Sequence, residues 1–135
     1  MSLYSKFQTD TDVEQKGIIL DYGEGNGRIR IRRAGGSNQA FTKALEKISR
    51  SYRAQIQHNL LSPDESLHIM IEVFAATVVI NWEGVIGQDG KTLAFSKENC
   101  MKLFKDLPDL FRDVQEQAQN VSLFRANLSE ADAKN

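Results

Sequence analysis

The chain has few of the residues that usually mark cross-linking or metal chemistry. Its 135 residues include one cysteine, two histidines and two prolines. Cys100 cannot form an internal disulfide, so the cysteine content does not indicate an oxidising compartment. Cys100, His58 and His68 show none of the short spacings of a zinc site, and no base is spaced to activate the thiol. We expect a core thiol at Cys100, no metal and no cofactor.

Long apolar stretches and an excess of one charge are also missing. The longest apolar run covers residues 73–80, far short of the roughly 20 residues of a membrane span. Residues 1–17 lack the apolar core of a signal peptide. Seventeen basic and 18 acidic residues give a net charge of −1, so the chain as a whole is not built to coat nucleic acid or an acidic membrane. We expect a soluble protein of the cytosol that does not contact membranes.

Catalytic patterns are absent as well. The glycines at 23–27 could suggest a phosphate loop, but a strand pattern follows them, whereas such a loop needs a helix after it. The carboxylates are explained as helix caps, turns and helix surface, and no two of them are set apart for acid–base work. We therefore predict that the protein is not an enzyme.

The length of the chain and its content of hydrophobic and charged residues fit a single globular domain. Hydrophobic residues make up 41% of the chain and charged residues 26%, which is enough for a core and ordinary for a soluble protein. We predict a mainly α fold in which four to five helices form one compact body with a small N-terminal β-hairpin. The domain is expected at 17–128, after a flexible arm at 1–16 and before a frayed tail at 129–135.

The hairpin is predicted at 17–33. Arginine and isoleucine alternate strictly from Arg28 to Arg32, which is the period of a strand with one buried face. A second β-rich run at 18–20 and the intervening glycines complete the hairpin. Two strands alone are marginally stable, so this hairpin must lie on something else.

Helices are predicted along the rest of the chain. Apolar residues recur at helical spacing from Phe41 to Ile56, and Ser62 to Glu65 has the pattern of a capping box. The following helix becomes apolar nearly all round, and its β-branched residues leave helix and strand both open for 73–82. Ser96 caps a further helix, and another begins near Pro108.

Two sets of side chains are candidates for binding. The apolar stripes exceed what a small core needs, so some should face a partner. The candidates for protein interaction are Phe41, Leu45, Ile48, Tyr52, Phe74, Val78, Trp82, Leu110 and Phe111. The sequence does not decide which of them face the core, a sister subunit or a client; Trp82 fits an interface anchor and a core residue equally well. The second set is a basic patch formed by Arg28, Arg30, Arg32 and Arg33.

Three segments, by their order and spacing along the chain, resemble the tail assembly chaperones of long-tailed, siphovirus-type bacteriophages. They are the arginine-rich strand before AGGSN with the following helix (28–48), the stretch from VINWEGV through DGK and FSKEN to LPDLF (79–114), and NVSLFR (120–125). Cys100 and Ala94 depart from the pattern, where a small alanine-like residue and a proline would be usual. The resemblance covers most of 17–125.

The resemblance implies a function that composition does not show. Such proteins bind the tail tape measure protein, keep it soluble and help recruit tail tube subunits through a longer, frameshifted product. They self-associate into curved or spiral multimers in the host cytoplasm and are absent from the finished virion. The alternative is a small nucleic-acid-binding regulator that uses the basic strand and the cations of the helix at 43–53.

Overall fold

The computed structural model describes residues 2–125. The strands are β1 (Ile18–Asp21), β2 (Arg28–Ile31) and β3 (Val79–Glu83). The helices are α1 (Leu3–Phe7), α2 (Thr11–Lys16), α3 (Gln39–Ser51), α4 (Arg53–Gln57), α5 (Pro63–Thr77), α6 (Lys97–Asp106), α7 (Pro108–Ala118) and a final 3-10 helix (Val121–Phe124). The predicted mainly helical body with a small β element near the N-terminus is confirmed.

The β element is a three-stranded antiparallel sheet in the order β1-β2-β3. The predicted hairpin supplies β1 and β2, and β3 pairs with the other edge of β2, where Ile29 lies opposite Trp82. Ile18, Leu20 and Ile29 point into the core, as the alternation of the sequence predicts. The third strand gives the hairpin the additional support that two strands need.

The segment at 73–82 is both helix and strand. α5 continues to Thr77, the chain turns at Val78, and β3 begins at Val79. Val78 and Val79 are both buried, so neither the helix end nor the strand start faces water. This change of secondary structure places α5 directly next to the sheet.

The core lies between the sheet and the helices α5, α6 and α7. Phe74 contacts Phe41 and Phe111 edge to face, with ring centroids 5.6 and 5.4 Å apart, an arrangement that adds about 0.5–1.5 kcal/mol per pair beyond burial. Tyr22, just after β1, donates a hydrogen bond of 2.7 Å to Asp113 on α7. Within residues 2–125 no helix is both long enough and apolar enough to cross a membrane.

Two parts of the chain differ from the sequence prediction. The helix expected from Phe41 to Ile56 is interrupted at Tyr52, so Ile56 lies on the separate helix α4 and is half exposed. The arm predicted at 1–16 contains α1 and α2, because Ser2 and Asp10 cap these two short helices with their side chains. The tail predicted at 129–135 lies outside the described residues.

Candidate protein-binding groove

The groove is built on two antiparallel helices, α3 and α5. Asn38 caps α3 through a 3.3 Å hydrogen bond from the Phe41 amide to its side-chain oxygen. Its side-chain nitrogen donates to the carbonyls of Arg33 and Thr77, at 2.9 and 3.0 Å. Since Thr77 ends α5, this buried amide fixes the start of α3 against the end of α5.

The start of α5 is set by the predicted capping box. The Glu65 amide donates to the Ser62 hydroxyl at 3.1 Å, and the Ser62 amide donates to the Glu65 carboxylate at 3.3 Å. Pro63 occupies the first turn, where its missing N–H costs nothing. The helix start read from the sequence is confirmed, and it fixes the second wall of the groove.

Between α3 and α5 lies a groove of about 320 Å³. Ile48 and Tyr52 are half-buried on its α3 side, and Ile69 is half-buried on its α5 side. Polar and charged groups stand at its rims, where Lys97 lies 3.9 Å from Glu72. The residues that line it are Ala44, Lys47, Ile48, Ser51, Tyr52, His68, Ile69, Glu72, Val73, Ala76 and Lys97.

Large apolar side chains are exposed on α4, on the first turns of α5 and on the connection between them. Ile56, Leu60 and Leu67 are 51%, 69% and 39% exposed. Asn59, between the first two, has a φ of 55°, a left-handed conformation that asparagine tolerates better than most residues. The chain therefore exposes three apolar residues between positions 56 and 67, close in sequence to both walls of the groove.

Further large apolar residues are exposed on α1. Leu3, Tyr4 and Phe7 are 74%, 79% and 58% exposed. The helix is tied to the other end of the described chain by Arg125, which donates a 2.6 Å hydrogen bond to the Lys6 carbonyl. The prediction of a flexible arm at 1–16 did not single out these side chains, although their types are visible in the sequence.

Five of the nine predicted interaction residues belong to the core. Phe41, Phe74, Val78, Trp82 and Phe111 are at most 8% exposed. The indole of Trp82 donates to the Leu93 carbonyl at 2.8 Å and packs edge to face on Phe95, so its polar atom is already satisfied within the chain. These five side chains stabilise the fold and do not offer a surface, which corrects the set proposed from the sequence.

The other four predicted interaction residues are only partly buried. Ile48 and Tyr52 line the α3–α5 groove. Leu45 lies on the opposite flank of α3, beside Arg50 and Arg53, and Leu110 lies on α7. Periodicity located the apolar stripe on α3 but did not separate its buried residue, Phe41, from the partly buried Leu45, Ile48 and Tyr52.

The predicted basic patch is largely occupied by contacts within the chain. Arg28 lies 3.1 Å from Glu83 and 3.7 Å from Asp21, on the two neighbouring strands. Arg32 donates a 2.8 Å hydrogen bond to the Gln15 carbonyl, and Arg30 lies 3.4 Å from two backbone carbonyls of residues 16 and 17. These arginines hold the sheet and the N-terminal segment together, which leaves them less available to phosphate groups.

Arg33 forms an ion pair with Glu14, whose side chain is 2% exposed. Burial alone would raise the pKa of Glu14, but hydrogen bonds from Arg33 and Ser37 and the charge of Arg33 outweigh it and lower that pKa. Gly36 lies against the same carboxylate, where an added Cβ would have no room. The pair joins α2 to the loop before α3, and no spacing pattern in the sequence indicates it.

Cys100 is fully buried on α6, and burial raises the pKa of its thiol to about 12. The thiol is therefore protonated at neutral pH and unsuited to nucleophilic attack. Within residues 2–125, no three histidine, cysteine or acidic side chains are grouped to hold a metal ion.

Comparison with known proteins places the chain in one family. No curated protein and no solved structure shows significant similarity to it. The model of the YdaY prophage protein family matches residues 36–135, which is well over half of the chain and includes both walls of the groove. The chain therefore belongs to the YdaY prophage protein family and is phage-derived.

Proposed function

We propose that this protein is a tail assembly chaperone of a long-tailed bacteriophage, which binds the tape measure protein and keeps it soluble during tail morphogenesis. The observation that carries the proposal is the α3–α5 groove, with half-buried Ile48, Tyr52 and Ile69 along its walls and charged groups at its rims. An amphipathic helix is recognised by such a surface, because its apolar face leaves water while its flanks stay solvated.

The exposed apolar residues near the groove support the same proposal. Ile56 on α4, Leu60 between α4 and α5, and Leu67 on α5 are exposed and lie close in sequence to groove residues Tyr52 and His68. A chaperone of a long helical client needs more apolar contact than one short groove gives, since each buried side chain contributes only about 1.5–3 kcal/mol.

Family membership and resemblance supply the biological setting. The chain is phage-derived, and its segments at 28–48, 79–114 and 120–125 resemble, in the same order, segments of tail assembly chaperones. On this basis the protein acts in the host cytoplasm without enzymatic activity and is absent from the finished virion. A longer, frameshifted product recruits tail tube subunits, and copies of the chain self-associate into curved or spiral multimers.

The nucleic-acid-binding alternative has less support. Arg28 and Arg33 are paired with carboxylates, and Arg32 is engaged by a backbone carbonyl. Arginines that are already held by carboxylates or carbonyls within the chain are less free to replace the counterions of a nucleic acid, and counterion release supplies most of the affinity of such patches.

The proposal is tested by producing the tape measure protein of the same phage in bacteria, alone or together with this chain. Co-production should move the tape measure protein from the insoluble to the soluble fraction, and the two proteins should co-purify. An unrelated soluble protein produced at the same level serves as the control. A tape measure protein that stays insoluble in both cases would contradict the proposal.

A further inference from the structure

The outer face of α3 and the start of α4 carry an excess of positive charge. Lys43, Lys47, Arg50 and Arg53 are all exposed, and Glu46 is the one acidic residue of the two helices. Among residues 2–125, none of the four cations has an ion-pair partner within 4.0 Å, whereas the arginines Arg28 and Arg33 do. We call these four residues the basic ridge.

The basic ridge does not help the helix that carries it. Lys43, Lys47 and Arg50 are four and three positions apart, so they share one face, and like charges at these spacings destabilise a helix. A cationic residue is favourable in the last turn of a helix, which accounts for Arg50 but not for Lys43. Glu46 lies three positions after Lys43 and four before Arg50, so it offsets part of this repulsion, but the net charge of the face stays positive.

The charge is distributed unequally about the groove. Lys47 belongs both to the basic ridge and to the groove lining, and Lys43 lies one turn before it on the same face of α3, whereas Arg50 and Arg53 lie towards the opposite flank. On the α5 side the charged lining residue is Glu72, which lies 3.9 Å from Lys97. One rim is consequently basic and the other close to neutral.

We propose that the groove selects an amphipathic helix whose apolar stripe is flanked by acidic residues along one side. The apolar stripe would lie against Ile48 and Tyr52, and the acidic flank would face Lys47 and, one turn earlier, Lys43. Charge complementarity of this kind chooses among partners and sets register. The proposal rests on the proposed function, because it specifies which segments of the client the same groove binds.

The apolar walls favour a peptide helix over a nucleic acid. A phosphate backbone would use the basic ridge but would gain nothing from Ile48, Val73 and Ala76 in the groove. Tyr52 is half-buried beside them, and the ridge itself carries no aromatic side chain on which single-stranded bases could stack.

The test uses labelled helical peptides of about 14 residues, four turns, that share one leucine stripe and differ only in the flanking residues. One peptide has glutamates on its flank, one has glutamines and one has lysines. Fluorescence anisotropy with the full chain at about 50 mM salt should give about tenfold tighter binding of the glutamate peptide than of the lysine peptide. The difference should shrink at about 500 mM salt, where exposed charges are screened.

Reversing the charge of the basic side chains at the groove shows whether they cause the preference for the glutamate peptide. In the double variant Lys43→Glu, Lys47→Glu the lysine peptide should bind more tightly than the glutamate peptide. The matched control is Lys91→Glu, Lys105→Glu, which makes the same charge change at two exposed lysines away from the groove. This control should keep the preference of the wild-type protein. Circular dichroism checks that both variants are folded.

Three results would overturn the proposal: equal binding of the three peptides, no binding of any of them, or a preference that survives charge reversal. Binding of an oligonucleotide of about 20 nucleotides in place of the glutamate peptide would also overturn it, in favour of a nucleic-acid partner. If the chain keeps the tape measure protein soluble but shows no charge preference, the inference fails and the proposed function stands. If charge preference is seen without solubilisation, the proposed function alone fails.

Discussion

At the scale of single residues, Glu14 shows how one carboxylate ties the N-terminal segment to the body. It accepts hydrogen bonds from the Arg33 side chain and from the Ser37 amide, and it is almost completely buried. A buried charge is tolerated when hydrogen bonds and an opposite charge compensate for its lost hydration. Removing one partner leaves the other charge buried and uncompensated, which destabilises the folded state. The segment at 11–16 is therefore held by specific polar contacts as well as by packing.

The Glu14 pair predicts a pH dependence of stability. Because the folded-state pKa of Glu14 lies below its ordinary value of 4.5, its contribution is complete above that value and is lost as the pH falls through the folded-state pKa. Glu14→Gln should lower the free energy of unfolding by about 2 kcal/mol at pH 7, and the difference from the wild-type protein should shrink at about pH 3. Urea unfolding at both pH values measures it.

The control for this prediction is Asp12→Asn on the same short helix. Asp12 is exposed, so its substitution should change stability by no more than about 0.5 kcal/mol. A Glu14→Gln variant as stable as the wild-type protein at pH 7 would show that the ion pair contributes nothing.

Cys100 gives a second prediction at the residue scale. Its thiol is buried with a pKa raised to about 12, so at pH 8 only about one thiol in 10,000 is ionised, and reagents cannot reach it. A disulfide-exchange reagent should modify the native protein at least about 100-fold more slowly than the urea-unfolded protein, as followed by absorbance. Rapid, complete modification of the native protein would disprove the assignment of Cys100 to the core.

At the scale of elements, the two walls of the groove begin in different ways. Ser62 caps α5 at an exposed site through a local capping box. Asn38 caps α3 at a buried site and also joins the carbonyls of Arg33 and Thr77. The first cap can be read from four neighbouring residues, whereas the second depends on contacts far apart in the chain.

The two caps should differ in their contribution to stability. Ser62→Ala should cost about 1 kcal/mol, as expected for an exposed N-cap. Asn38→Ala should cost about 2–4 kcal/mol, because it also removes the side-chain donor from two carbonyls, one in a buried and one in a partly buried hydrogen bond. Chemical unfolding of the two variants provides the comparison, and an equal loss in both would contradict the bridging role of Asn38.

At the scale of the whole molecule, elements that are specified by neighbouring residues were predicted from the sequence, whereas contacts between residues far apart in the chain were not. Strict alternation located β2 and the capping box located α5, since both signals lie within a few residues. The pairing of β2 with β3 was not predicted, because the β-branched residues within 73–82 left helix and strand both open for that segment. The ion pair of Glu14 with Arg33 joins residues that no periodicity relates, so it needs the folded chain.

The candidate site was predicted in part for a similar reason. The apolar stripe from Phe41 to Tyr52 is visible in the sequence, and two of its members line the groove. Phe41 itself is 8% exposed, and only the packing of α3 on α5 decides which edge of the stripe remains accessible. The exposure of Ile56 became evident only once the helix break at Tyr52 was known.

The central claim, that the α3–α5 groove holds the tape measure protein, is tested most directly by filling the groove. Ala76 is exposed and lines the groove, whereas Ala54 is exposed on α4 and does not. The measurement is the soluble fraction of co-produced tape measure protein with the wild-type chain, Ala76→Trp or Ala54→Trp. Ala54→Trp should match the wild-type chain, and Ala76→Trp should lose most of the solubilisation while it remains folded by circular dichroism. A folded Ala76→Trp protein that keeps the tape measure protein as soluble as the wild-type chain does would contradict the account.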